Sequence, residues 1–339
     1  MIDDRLIERL EARDPAALAR AITLVENEGP GFEGLLAYAY ARTGRGARRI
    51  GITGPPGAGK STLAQALIRW FRSADLGVGV VAVDPTSPFT GGALLGDRIR
   101  MEQANLDPQV FIRSMATRGS VGGLATRTEE VADLLEAFGF DRILIETVGV
   151  GQTELDVAAT ADTTVLVLVP ESGDGIQTLK AGVMEVADLY VINKSDRPGA
   201  DKLRGEVEVM LGLRRGQGFR HASHHGDRGR QPAPLAAAWE PPVLATVATA
   251  EQGIAELAAA LDRHFEQVVS SGARAARVRT RLERRTRAVV ERALRHWVWE
   301  TLRVDEAIAR ELDQVVAGRK SPYDVAAEIL DQVKGGAPR

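Results

Sequence analysis

Short apolar runs alternate with helix-like periodicities along most of the chain. The runs Arg49–Thr53, Val78–Val83, Arg142–Ile145, Thr164–Val169, Leu189–Ile192 and Val243–Thr246 are rich in Val, Ile and Leu and show little polar alternation. Strands covered on both faces read this way, and their interleaving with helical patterns predicts an α/β fold, a mostly parallel sheet with helices on both faces. Ahead of it, residues 1–45 read as a helical extension. Asp14 can cap a helix whose first position suits Pro15, and Leu18, Ile22 and Val25 share one face. A Gly/Arg-rich break, Gly44 to Arg49, leads into the sheet region 46–265, whose most irregular stretch is Gly216–Pro242. Residues 266–339 carry no strand pattern and read as helices, the last one opening at Ser321-Pro322.

Composition narrows the classes. With 339 residues, 44% hydrophobic and 26% charged, the chain has the make-up of a globular protein with a sizeable core. It has no cysteine, so disulfides, thiolate metal sites and cysteine nucleophiles are excluded. Lys plus Arg number 43 against 46 Asp plus Glu, a net charge of −3 with nothing to suggest a nucleic-acid partner. Met1-Ile2-Asp3-Asp4-Arg5 lacks the basic start of a secretory signal, and no apolar run approaches a membrane span. The expected location is cytoplasmic, with no membrane partner.

The chemistry gathers at the carboxyl ends of the predicted strands, where open α/β sheets bind ligands. Strand Arg49–Thr53 runs into Gly54-Pro55-Pro56-Gly57-Ala58-Gly59-Lys60-Ser61-Thr62 and then an apolar helix. This is the complete G-x-x-x-x-G-K-[ST] pattern in its strand–loop–helix setting, the mark of a P-loop NTPase. Its glycines let backbone N–H groups converge on phosphate oxygens, Lys60 reaches the β and γ phosphates, and the Ser61 hydroxyl completes a Mg2+ shell. Strand Leu189–Ile192 ends in Asn193-Lys194-Ser195-Asp196. The Asp196 carboxylate can accept from the ring N–H and exocyclic amine of guanine, a pair adenine lacks, which points to GTP rather than ATP. The Lys194 stem can lie over the base while Asn193 ties this loop to the phosphate loop.

Two further strand ends carry acids. Val78–Val83 leads to Asp84-Pro85-Thr86-Ser87-Pro88, and Arg142–Ile145 leads to Glu146-Thr147-Val148-Gly149. Either carboxylate can hold Mg2+, directly or through water, and Gly149 can present its N–H to the γ phosphate. The glycine-rich stretches 91–98 and 171–180 are expected to be switches that reorder with that phosphate. Gln152, Asp97 and Glu146 are the candidates for orienting the attacking water, and the sequence does not rank them. A slow GTPase that needs a partner for full rate is expected.

Taken together, Gly54–Thr62, Asp84–Pro88, the run 91–101, Glu146–Gln152, Glu171–Lys180 and Asn193–Asp196 resemble the MeaB/ArgK/MMAA family, P-loop GTPases of the metallochaperone group. The resemblance spans nearly the whole chain. It implies a chaperone of adenosylcobalamin-dependent acyl-CoA mutases, gating cobalamin delivery and protecting or reactivating the mutase. It also implies a homodimer joined through the C-terminal helical region. Carried over, Asp84, Asp97 and Glu146 match the family's magnesium and active-site acids, and Asp174, Gln177 and Lys180 its additional switch. Val247-Ala248 stands where the family has Ser-Ala, with the Ala248 amide expected on the guanine oxygen. No D-x-H-x-x-G pattern is present, so cobalamin is expected on the partner rather than on this chain. Three alternatives bear on the same features. A kinase or ATPase accessory to lysine/arginine/ornithine transport is disfavoured by Asn193–Asp196. A nickel-delivery GTPase is disfavoured by the absence of Cys, the histidines His221, His224 and His225 reading as solvated. The Arg-rich stretch Arg274–Arg303 reads as a helix with one apolar and one basic face rather than as a nucleic-acid contact.

Overall fold

The computed structural model describes residues 3–43, 46–84, 107–116, 123–147, 153–170, 181–214, 239–302 and 304–336. Among these, seven strands form one parallel sheet: β1 (Arg48–Thr53), β2 (Val78–Asp84), β3 (Val110–Ala116), β4 (Arg142–Thr147), β5 (Thr163–Leu168), β6 (Leu189–Asn193) and β7 (Val243–Thr246), in the order β3-β2-β4-β1-β5-β6-β7. The helices are α1 (Asp4–Glu11), α2 (Pro15–Glu26), α3 (Phe32–Tyr40), α4 (Lys60–Ser73), α5 (Gly123–Phe138) and α6 (Thr153–Thr160). They continue with α7 (Ala181–Val186), α8 (Ala200–Arg214), α9 (Ile254–Ser270), α10 (Ala273–His296), α11 (Val304–Val316) and α12 (Pro322–Gly336).

Period-two geometry sorts the apolar strand residues onto two faces. Ile50, Ile52, Val80, Leu144, Val165 and Val191 pack against Leu63, Leu67 and Phe71 of α4 and Leu257 and Leu261 of α9. Their neighbours Val81, Val83, Ile143 and Ile145 face the other way, against Leu134 and Leu135 of α5 and Leu18, Ile22 and Val25 of α2. Leu166, Leu168, Tyr190 and Ile192 continue that second face toward Leu203, Val207 and Leu211 of α8. The N-terminal helices thus share a core with the sheet. Asp14 caps α2 through the Ala16 N–H at 2.8 Å, with Pro15 at the first helical position as read from sequence.

One strand escaped the sequence pattern. β3 lies at the sheet edge and pairs with β2 alone; Phe111 to Ser114 are only half buried, and Arg113-Ser114 cuts its apolar residues into two short pieces, Val110–Ile112 and Met115-Ala116. Its Arg113 forms an ion pair with Glu26 of α2.

Charge is buried at the amino ends of the strands. Arg49 is 3% exposed and donates to Asp133 at 2.6 Å and Glu136 at 2.8 Å on α5. Burial works against its charge, but these carboxylates and Asp162 outweigh it and hold the guanidinium above its ordinary pKa. Asp188, just before β6, accepts from the Thr164 N–H at 2.9 Å and from Arg277 on α10 at 3.0 Å, with His264 of α9 beside it. Burial pushes its pKa up, and His264 and Arg277 more than reverse this, so the carboxyl sits below its usual range.

The chain divides into two compact units, Met1–Arg279 and Thr280–Arg339. In the second unit α11 packs with α12, and Lys320 bridges Glu311 at 3.0 Å and Glu328 at 2.8 Å. Ser321 and Asp324 cap α12 reciprocally. Leu294, Leu312, Val316, Tyr323 and Leu330 are exposed there. No described helix is long and apolar enough to cross a membrane.

Candidate nucleotide site

The loop between β1 and α4 is shaped by backbone geometry that side chains would obstruct. Gly54, Gly57 and Gly59 have φ of 144°, 75° and 84°. A Cβ on Gly54 would overlap the Val167 carbonyl oxygen of β5, and one on Gly59 would come within 2.5 Å of Asn193 Nδ2. The loop turns tightly, Ala58 N–H donating to the Pro55 carbonyl at 3.2 Å, and delivers the chain into α4 with its first N–H groups at the mouth. Such an end attracts anions. Lys60 opens the helix. It is 6% exposed, and its Nζ donates to the carbonyls of Gly54 at 2.8 Å and Pro55 at 3.1 Å, so the ammonium is folded over the loop. Pro56 and Gly57 are exposed, Ala58 is buried, and Ser61 and Thr62 are half buried.

Beside the loop, β4 runs in register with β1, Ile52 opposite Glu146. Glu146 is 1% exposed, and the Ser61 hydroxyl donates to its Oε1 at 2.5 Å. Asp84 ends β2 one residue beyond the Val83–Thr147 pairing, which brings its backbone to the same edge of the sheet. A hydroxyl and a carboxylate within reach of one another at a phosphate-type cradle are hard oxygen donors, a set that suits Mg2+.

On the other side of β1, fully buried β6 delivers Asn193. Its side chain is bonded at both ends. Nδ2 donates to the Ala58 carbonyl at 2.9 Å, while Oδ1 accepts from Thr246 Oγ1 at 3.1 Å and from the Ala248 N–H at 3.2 Å. Lys194 takes a left-handed φ of 56° and turns the chain back, Ser195 N–H donating to the Thr246 carbonyl at 3.0 Å, and leaves Asp196 exposed. The Val247 N–H donates to Gln252 at 3.1 Å. The Ala248 amide, expected to meet a guanine oxygen, is thus engaged by Asn193 here. Thr246 also helps to hold Asn193, a role that shows in the sequence only as a strand-final threonine directly before Val247-Ala248.

The structure therefore brings together Gly54–Thr62, Glu146, Asn193, Lys194, Asp196, Val247 and Ala248, with Asp84 placed by its backbone. Asp97, Gly149, Gln152, Asp174, Gln177 and Lys180 lie outside the described residues, as do His221, His224 and His225.

A parallel sheet with a glycine-shaped lysine loop at the carboxyl end of a central strand defines a P-loop NTPase. The sequence profile described as "Methylmalonyl Co-A mutase-associated GTPase MeaB" matches residues 18–303, and the chain belongs to this GTPase family. A Pyrococcus abyssi relative named only as a GTPase is 46% identical over 335 residues, covering 98% of this chain and 97% of its own length. The mouse "Methylmalonic aciduria type A homolog, mitochondrial" is 36% identical over 293 residues, 82% of this chain and 66% of that protein. Among solved structures, a "LAO/AO transport system kinase" matches with a TM-score of 0.66 and 27% identity, covering 98% of this chain and 99% of that one.

Proposed function

We propose that this GTPase holds the triphosphate of GTP on Gly54–Thr62 and its guanine at Asn193–Asp196, and that hydrolysis to GDP and phosphate drives a chaperone cycle on an adenosylcobalamin-dependent acyl-CoA mutase such as methylmalonyl-CoA mutase. One observation supports the nucleotide assignment above the others: the Asn193 side chain bonds the phosphate loop at Ala58 and the base loop at Ala248 simultaneously. In this reading Lys60 leaves its loop carbonyls for the β and γ phosphates, the N–H groups at the start of α4 hold phosphate oxygens, and Asp196 accepts from the guanine N–H groups. Ser61, Glu146, Asp84 and Asp97 are the residues to hold Mg2+, which when bound offsets phosphate charge. Gly149 is assigned to the γ phosphate, and Gln152, Asp97 and Glu146 share the candidacy for orienting water. Asp174, Gln177 and Lys180 are assigned to the switch that the mutase reads.

The mutase partner is supported by the family's name and by that of the mouse relative. Cobalamin belongs on the partner in this proposal, and the protein is cytoplasmic. The C-terminal region 266–339 is the homodimer arm, in keeping with the exposed Leu312, Val316, Tyr323 and Leu330.

Two measurements test this. Asp196→Asn should cut the preference for GTP over ATP in a binding titration by about tenfold or more, because guanine then meets a mismatched donor. An undiminished preference would remove Asp196 from base reading and reopen the kinase alternative. Separately, adding a purified adenosylcobalamin-dependent acyl-CoA mutase should raise phosphate release from GTP at least tenfold, as partner-completed GTPases do. A rate indifferent to the methylmalonyl-, isobutyryl-, ethylmalonyl- and hydroxyisobutyryl-CoA enzymes alike would end the chaperone reading while sparing the GTPase.

A further inference from the structure

The amino ends of the central strands, away from the nucleotide loop, hold a second concentration of cationic side chains. Arg48 and Arg142 open the adjacent strands β1 and β4 and are register partners, so two guanidinium groups leave the sheet side by side. Both reach a single oxygen, Oδ1 of Asp262 on α9: Arg48 through Nη1, Arg142 through Nη2 at 3.3 Å. The other nearby carboxylate, Asp141, accepts the Gly77 N–H at 2.8 Å.

Arg142 is poorly served for a group so buried. Its side chain is 10% exposed, its Nη1 reaches only the Asp141 carbonyl at 3.3 Å, and its Nε has no acceptor among the described residues. A guanidinium carries five N–H donors, and leaving them buried with long bonds or none is costly. Burial, and then the charge of Arg48, lower its pKa despite Asp262 and Asp141. Both heads are nonetheless fixed by aromatic rings, Arg48 over Phe265 at 4.6 Å and Arg142 over Phe71 at 5.4 Å. Arg274 lies against the same Phe265 ring at 5.2 Å. Two pre-positioned forks facing one shared carboxylate oxygen have capacity left for an oxyanion with several acceptor atoms. The carboxylate in the way is also the most exposed member: the Asp262 side chain is 43% exposed and that of Arg48 is 23%.

We propose that Arg48 and Arg142 form an anion site for a phosphate group, distinct from the nucleotide loop, in which Asp262 is a built-in stand-in that the incoming phosphate displaces. Inorganic phosphate and the phosphate of a small phosphorylated molecule share this chemistry.

The test uses the full chain saturated with GDP, so that the nucleotide loop is filled, and follows inorganic phosphate by calorimetry and by thermal unfolding at constant ionic strength against chloride. Asp262→Asn removes the competitor and should tighten phosphate binding about fivefold to tenfold, with a matching rise in melting temperature on adding phosphate. Arg48→Gln, at a half-exposed position, should keep the fold and the bound GDP yet lose the phosphate response. Replacing inorganic phosphate by a sugar phosphate separates the two sources, tighter binding identifying the phosphorylated molecule and equal binding the free ion. A purely structural ion pair gives the opposite pattern: Asp262→Asn loses stability that phosphate does not restore. That result, or an Arg48→Gln chain that binds phosphate as before, overturns the site. GDP retention is read in every variant, so loss of the nucleotide site registers separately.

Discussion

Lys60→Ala is expected to weaken GTP binding by about two to four orders of magnitude, the sum of charge-assisted contacts worth about 1.5–3 kcal/mol each to two phosphates. The size follows from where the ammonium sits. It is nearly buried and held by the Gly54 and Pro55 carbonyls, so it meets the phosphates where water screens little. The fold has less at stake. Those two bonds are local to the loop, and their loss should lower the melting temperature by only about 2–4 °C. Calorimetry with GTP, alongside thermal unfolding of the same preparation, separates the two effects. Unchanged GTP affinity in a folded variant would refute the cradle assignment.

The largest effect on stability is expected at Arg49. Arg49→Met leaves Asp133 and Glu136 in the core without the guanidinium that both contact at under 3 Å, a change that typically costs about 3–5 kcal/mol. Urea unfolding should show a lower midpoint with an unchanged slope. Converting all three positions to apolar residues of similar volume should recover most of the loss, since the penalty lies in stranded charge rather than in lost attraction. A loss below about 1 kcal/mol for Arg49→Met would mean that water reaches these carboxylates after all.

Arg49 also shows where sequence reading stops. In the sequence Arg48-Arg49 closes a polar break, and nothing local distinguishes an arginine at a strand start from one in a turn. Its partners lie 84, 87 and 113 residues away, a pairing made only when the sheet and α5 come together. The phosphate loop and the base loop were legible for the opposite reason. Their residue types are imposed by conditions within a few residues, glycine where φ is positive, lysine and serine where a helix begins at an anion cradle. The five interior strands were legible because a strand covered on both faces must be apolar throughout; of the two edge strands, β7 keeps the unbroken Val243-Leu244-Ala245 while β3 is interrupted by Arg113-Ser114. Thr246 falls between these cases: its residue type is ordinary, and its use depends on β7 lying beside β6.

The two-ended anchoring of the Asn193 amide also has a thermodynamic consequence. A side chain shared by two loops makes the halves of a nucleotide non-additive: whatever stiffens the purine end lowers the entropic cost of ordering the phosphate end, and the reverse holds equally. Cooperativity of this kind needs no moving domain, because it is carried by one amide group acting as a common strut.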